Sequence, residues 1–281
     1  KEVTLKINDV SVTVPEGTRI LDAARKAGFR IPTLCYYKDL TNEGSCRVCV
    51  VEVKGARSLV ASCSAVVAEG MEVYTKTPKV IESRKTTLEL LLSNHEKKCL
   101  SCVRSGNCEL QKLSNEYGCD ENKFSGVKTP TAPEFENDYL IRDNGKCILC
   151  RRCVAACNKY QTVGVIGANK RGFNTTIGCA FGRALADVDC VACGQCINVC
   201  PVGALTEKDD TDKVVAALGD KSKHVIAITA PAVRVALGEE FGFPVGTDTE
   251  GKMVAALRRI GFDKVFDVDM AADLTIMEEG T

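Results

Sequence analysis

Eight of the seventeen cysteines fall in two short runs with one shared spacing, and that repeat limits what the chain can fold around. The first run is Cys147-x2-Cys150-x2-Cys153-x3-Cys157, within CILCRRCVAACNKY; the second is Cys190-x2-Cys193-x2-Cys196-x3-Cys200, followed by Pro201. Three thiolates at two-residue gaps wrap one iron-sulfur cubane, while the fourth, just beyond, reaches the neighbouring cluster. The ligand sets are therefore expected to cross. One 4Fe-4S cluster would take Cys147, Cys150, Cys153 and Cys200, and the other Cys190, Cys193, Cys196 and Cys157. Structural zinc also binds four cysteines, but it gains nothing from eight thiols in this register. Asn158 stands in the first run where the second has Pro201, which weakens a turn signal and removes no ligand.

The odd cysteine count suits disulfide pairing badly, and thiols clustered at two-residue gaps in a reducing compartment read as metal ligands. Lys plus Arg and Asp plus Glu are equal at 37 each, so no basic excess draws the chain to nucleic acid or anionic lipid. No apolar run approaches the ~18 residues of a membrane span, and the opening KEVTLKINDV alternates like a strand, unlike a secretory signal. The expectation is a cytoplasmic α+β multidomain protein without membrane insertion.

Residues 3–14 alternate apolar and polar on both sides of Asn8-Asp9, a hairpin signal. RILDAARKAG then sets Ile20, Leu21, Ala24 and Ala27 at helical spacing and stops at Gly28. Strands are expected in VCVVEVKG, near Val60 and near Val73, which closes a small α+β domain over 1–78. A helix carrying Leu88, Leu91 and Leu92 opens the next segment, 79–125, with a second helix from about Cys108. Residues 126–138 read as a connector and 139–209 hold the paired cysteine runs. In the last part, 222–281, HVIAITAPAVRVALGEEFG reads as a buried strand and a helix with Pro231 in its first turn. Helix, strand and helix start follow, giving an α/β domain with a parallel strand pair. Two strands cannot bury both faces of such a sheet, so the sequence is expected to be the front of a longer protein.

Two further constellations precede the paired runs. Cys35-x10-Cys46-x2-Cys49-x13-Cys63 comes close to the spacing of plant-type 2Fe-2S ferredoxins, with a longer first gap and with Gly44 where the backbone must bend over a cluster. A zinc knuckle is the competing reading. The other constellation is His95-x3-Cys99-x2-Cys102-x5-Cys108, whose spacing alone leaves zinc open. Its place between iron-sulfur modules favours a 4Fe-4S cluster with one imidazole, whose neutral nitrogen should raise the reduction potential. Cys119 and Cys179 are left as buried or idle thiols, and His224 as an end-of-strand residue.

Taken in order, these motifs resemble the N-terminal half of an iron-only (FeFe) hydrogenase catalytic subunit, of the multi-cluster kind found in NAD-linked, electron-bifurcating complexes. That resemblance implies four parts: a β-grasp 2Fe-2S ferredoxin domain, a small helical 4Fe-4S domain with one His and three Cys ligands, a bacterial 2x4Fe-4S ferredoxin-like domain, and the start of an α/β hydrogenase domain at TAPAVRVALGEEFG. It implies one 2Fe-2S and three 4Fe-4S clusters relaying electrons to a six-iron H-cluster downstream. Implied partners are a flavin and NAD(P)-binding iron-sulfur subunit, a small 2Fe-2S subunit and ferredoxin, in a hetero-oligomer. The family's H-cluster cysteine motifs are absent from the sequence, so no catalytic residue is assigned. A formate dehydrogenase catalytic subunit can share all four clusters, the corresponding complex I subunit shares the first two modules, and a dedicated electron-transfer subunit is the non-enzyme reading.

Overall fold

Asn8 and Asp9 both adopt left-handed backbone, with φ of 46° and 68°, the signature of a tight turn whose twist matches two paired strands. They join β1 (Glu2–Ile7) to β2 (Val10–Pro15) in an antiparallel hairpin. Alternation turns Val3, Leu5, Ile7, Val12 and Val14 to one buried face. Helix α1 (Ile20–Lys26) buries Ile20, Leu21, Ala23 and Ala24 and ends before Gly28, whose φ is +81°. Strands β3 (Val50–Val53), β4 (Val60–Ala61) and β5 (Glu72–Tyr74) complete a mixed sheet of order β2-β1-β5-β3-β4, with β1 and β5 parallel.

This computed structural model describes residues 1–131, 133–134 and 138–280, which divide into two compact units, Lys1–Lys208 and Asp209–Thr281. In the first unit, Thr77 caps α2 (Pro78–Asn94) by accepting the Val80 amide, and Pro78 opens the helix where no amide is needed. Its inner face holds Val80, Leu88 and Leu92 and, against expectation, Arg84 and Glu89. Arg84 Nη2 donates to the Val50 carbonyl at 2.7 Å and Nη1 to the Tyr117 hydroxyl at 3.1 Å. Glu89 accepts the Asp120 amide and lies 2.8 Å from Lys123 Nζ. Helix α3 (Glu109–Glu116) adds Leu110 and Leu113.

Of the segment read as a connector, residues 132 and 135–137 lie outside the described residues. Its β6 (Pro133–Glu134) pairs with β7 (Leu140–Asp143). Helix α4 (Arg152–Ala155) runs into a π-helical turn at Ala156–Tyr160 that contains Cys157. The insert between the cysteine runs forms a hairpin of β8 (Gly167–Asn169) and β9 (Thr176–Gly178), and α5 (Gln195–Asn198) lies in the second run. Finally β10 (Leu205–Glu207) pairs antiparallel with β7, tying the strand before the first run to the strand after the second.

One apolar cluster joins Leu34 and Val48, Leu88 and Leu110, and Ile148 and Val202, so it crosses all three cysteine-bearing segments. Leu88 is fully buried there. Leu88→Ala is expected to cost roughly 2–5 kcal/mol, seen as a lower urea midpoint of the anaerobically purified protein.

The second unit contains α6 (Thr211–Gly219), which the sequence reading did not anticipate, then β11 (Ile226–Thr229), α7 (Val233–Glu240), α8 (Glu250–Ile260), β12 (Lys264–Asp267) and α9 (Val268–Glu279). Strands β11 and β12 are parallel, as expected. Two expectations need correction. Pro231 lies ahead of α7 instead of in its first turn, and β11 is not buried, because a two-stranded sheet leaves Ile226 and Ile228 uncovered. No helix among the described residues is long and apolar enough to cross a membrane.

Candidate metal centres

Both cysteine runs carry the same backbone signature. The residue before the second cysteine and the residue after it take left-handed φ: Leu149 at 54° and Arg151 at 60° in the first run, Ala192 at 52° and Gly194 at 71° in the second. Left-handed φ costs an L-residue roughly 1–2 kcal/mol, and it persists where the surroundings fix it, often at functional sites. Here it turns backbone N–H groups inward; the Leu149 amide donates to Cys147 Sγ at 3.3 Å. Successive amides in such turns make a concave nest suited to an anionic group.

The thiols meet in the crossed arrangement. Cys147, Cys150, Cys153 and Cys200 line one small cavity, together with Ile148 and Ile177. Cys190, Cys193 and Cys196 line another, and its fourth thiol is Cys157. Burial pushes the Cys147 thiol up to about 11, Cys150 up to about 12, Cys153 well above its ordinary value, and Cys196 up to about 11. Thiolates in such a place need a positive core to offset lost hydration, which is what cluster iron would supply.

Cys35, Cys46, Cys49 and Cys63 are all buried, in the first domain's cysteine loop and beside β3 and β4. They are electrostatic neighbours: Cys35 interacts with Cys46 and Cys63, and Cys49 with Cys63. Those neighbouring thiols pull Cys35 far below the usual range; hydrogen bonding to Cys35 and then burial push Cys46 far above it, and hydrogen bonding to Cys35 and Cys49 and then burial push Cys63 far above it. Gly44 has φ +66°, and a Cβ there would stand 3.0 Å from Ser64 Oγ, so the loop does need glycine at that bend.

His95, Cys99, Cys102 and Cys108 border a third small cavity. His95 is buried, its Nδ1 has no hydrogen-bond partner among the described residues, and burial lowers its pKa, so a neutral ring holds a lone pair with no donor. A buried polar atom left unpaired is costly unless something binds it. Gly203, just after the second run, packs so tightly on this site that a Cβ would lie 2.5 Å from Cys102 Sγ. Among the described residues no three or more His, Cys, Asp or Glu are drawn in tightly enough for a single metal ion; the thiols of these three sites stand around cavities. Two wider surface depressions, one beside Arg25 and Lys112 and one beside Lys98 and Thr206, contain none of the cysteines.

The sites left aside behave as ordinary side chains. Cys179 is buried in the apolar cluster, Cys119 is half-buried with its thiol near the Lys85 carbonyl, and His224 is exposed 3.6 Å from Asp263. Sequence reading missed Arg152, Glu109 and Gly203, whose roles depend on neighbours distant in the chain.

Comparison with known proteins gives four family matches in order. Residues 1–78 match a 2Fe-2S iron-sulfur cluster binding domain, and 84–123 the NADH-ubiquinone oxidoreductase-G iron-sulfur binding region. Residues 138–206 match the NADH-quinone oxidoreductase subunit 3 ferredoxin-like domain, and 223–281 the iron only hydrogenase large subunit, C-terminal domain. The NADP-reducing hydrogenase subunit HndD of Solidesulfovibrio fructosivorans is 50% identical over 99% of this chain and 48% of its own length. Iron hydrogenase 1 of Clostridium pasteurianum is 40% identical over 99% of this chain and 49% of its own. The chain thus spans about half the length of these curated relatives. A chain in the crystal structure of an NAD+-reducing [NiFe]-hydrogenase in the H2-reduced state superposes with a TM-score of 0.68 at 31% identity, over 73% of this chain and 87% of that one. This is accordingly a mixed α/β chain with 2Fe-2S and 4Fe-4S ferredoxin-like domains, and it belongs to the family of hydrogenase iron-sulfur subunits, oxidoreductase chains whose electron-relay region it carries.

Proposed function

We propose that sixteen side chains hold one 2Fe-2S and three 4Fe-4S clusters. Cys35, Cys46, Cys49 and Cys63 take the binuclear cluster, in a β-grasp domain; His95, Cys99, Cys102 and Cys108 take one cubane; the two crossed sets take the others. The observation that carries this reading is the exchange of fourth cysteines, Cys157 into the Cys190 cavity and Cys200 into the Cys147 cavity. A pair of independent zinc sites would give no reason for it.

When bound, the clusters supply one-electron carriers whose potentials the protein sets. The chain's own residues do the rest. Buried thiols at Cys150, Cys153 and Cys200 keep water from the site, the Leu149 amide orients toward sulfur, and His95 offers a neutral nitrogen. The continuous apolar cluster keeps the sites in fixed register.

The whole protein is, on this reading, an FeFe hydrogenase subunit passing electrons between a hydrogen-activating site and a flavin and NAD(P)-binding subunit, a small 2Fe-2S subunit or ferredoxin. The match of residues 223–281 and the likeness of nearly all of this chain to about half of two hydrogenase subunits support it. A relay serving an NADH dehydrogenase is the second reading, favoured by the family descriptions over 84–123 and 138–206. Anaerobically purified protein is expected to contain about fourteen irons; zinc in their place would refute the ligand assignment.

A further inference from the structure

The side chain of Arg152 ties together three segments that each carry a different cluster site. It precedes Cys153. Its two terminal nitrogens fork onto Glu109, which follows Cys108, at 2.7 and 2.9 Å, and its guanidinium carbon lies 5.5 Å from the ring centre of Tyr37, two residues after Cys35. Arg151, beside it in sequence, points to solvent.

The pair is lopsided. Arg152's side chain is 4% exposed and Glu109's is 43%. Water therefore screens the carboxylate far more than the guanidinium, so a net positive field remains on the dry side. Arg152 Nε is buried without a hydrogen-bond partner among the described residues. Burial works against the charge, Glu109 outweighs it, and the thiols of Cys150 and Cys35 add to the favourable side. A guanidinium does not deprotonate in proteins, so this field is permanent.

We propose that Arg152 is a shared electrostatic tuning residue, stabilising the reduced state at both the Cys35 site and the Cys147–Cys200 site, so that both midpoints shift together and the driving force for electron passage between them is preserved. Each passage moves one electron, oxidising one site and reducing its neighbour, with no bond or proton exchanged. This rests on the ligand assignment proposed above.

The test is redox titration of the full chain, purified anaerobically, with the binuclear and cubane spectra followed separately by electron paramagnetic resonance. Arg152→Gln should lower both midpoints by about a tenfold change in the oxidised-to-reduced ratio, about 59 mV for a one-electron couple. Glu109→Gln, which removes the screened countercharge, should raise both, and Arg152→Lys should restore most of the wild-type values. Where Arg152→Gln loses iron, the other two variants decide. Clusters present but midpoints unmoved, shifted at one site only, or shifted the same way in Glu109→Gln and Arg152→Gln would overturn the tuning role alone. Wild-type protein without iron would overturn the ligand assignment beneath it.

Discussion

Cys157→Ala is expected to cost the protein about four of its fourteen irons, and the lost cubane should be the one among Cys190, Cys193 and Cys196. Linear sequence suggests otherwise, since Cys157 closes the first run. Its position in the π-helical turn after α4 carries the thiol to the cavity of the second run, while Cys200 fills the place left in the first. The variant should therefore match Cys190→Ala in iron content and in its low-temperature magnetic resonance, and differ from Cys147→Ala. A match to Cys147→Ala instead would mean that the ligand sets do not cross. Either variant leaves an apolar cavity beside uncompensated thiols, so some loss of stability accompanies the loss of iron.

Gly203→Ala should cost about as much iron at a different site. Gly203 has ordinary backbone, so conformational freedom is not the reason for glycine here. Its lack of a side chain is the reason, since one methyl group would stand 2.5 Å from Cys102 Sγ. The surroundings have little room to yield. Just upstream, the Pro201 carbonyl accepts the Glu109 amide at 2.9 Å, and Arg104 Nη2 donates to the Cys200 carbonyl at 3.2 Å. Cys102 must then move, and the His95, Cys99 and Cys108 set loses a member. We expect the iron count to fall to about ten, with the binuclear signal intact. Full iron content together with unchanged spectra would show that the loop relaxes around the methyl group.

The hairpin at Asn8-Asp9, α1 up to Gly28, α2 and α3 were legible because each shows a local apolar period or a turn residue with one allowed conformation, and β11 and β12 were legible as short apolar runs separated by helical ones, although they pair across 38 residues. The insert hairpin of β8 and β9 was not. Its short strands, Gly167–Asn169 and Thr176–Gly178, carry little apolar alternation, and Asn144, far away in sequence, helps hold them by donating to the Ile177 carbonyl. Helix α6 was missed although Asp210 stands at its N-cap position and Gly219 at its end; it buries no residue, so no core-facing stripe marked it out.

For the metal centres the division is sharper. Cysteine spacing alone marked which side chains could serve and led to the expectation that two runs exchange their fourth members, because a cubane's size and a three-residue gap leave little choice. Tertiary structure alone decided that Arg152 and not Arg151 is buried, that its charge faces segments of three different sites, and that Gly203 must stay bare beside Cys102. Spacing is a covalent property, carried by the chain wherever it folds. An electrostatic field or a steric limit exists only once distant segments have packed, so no local pattern records it.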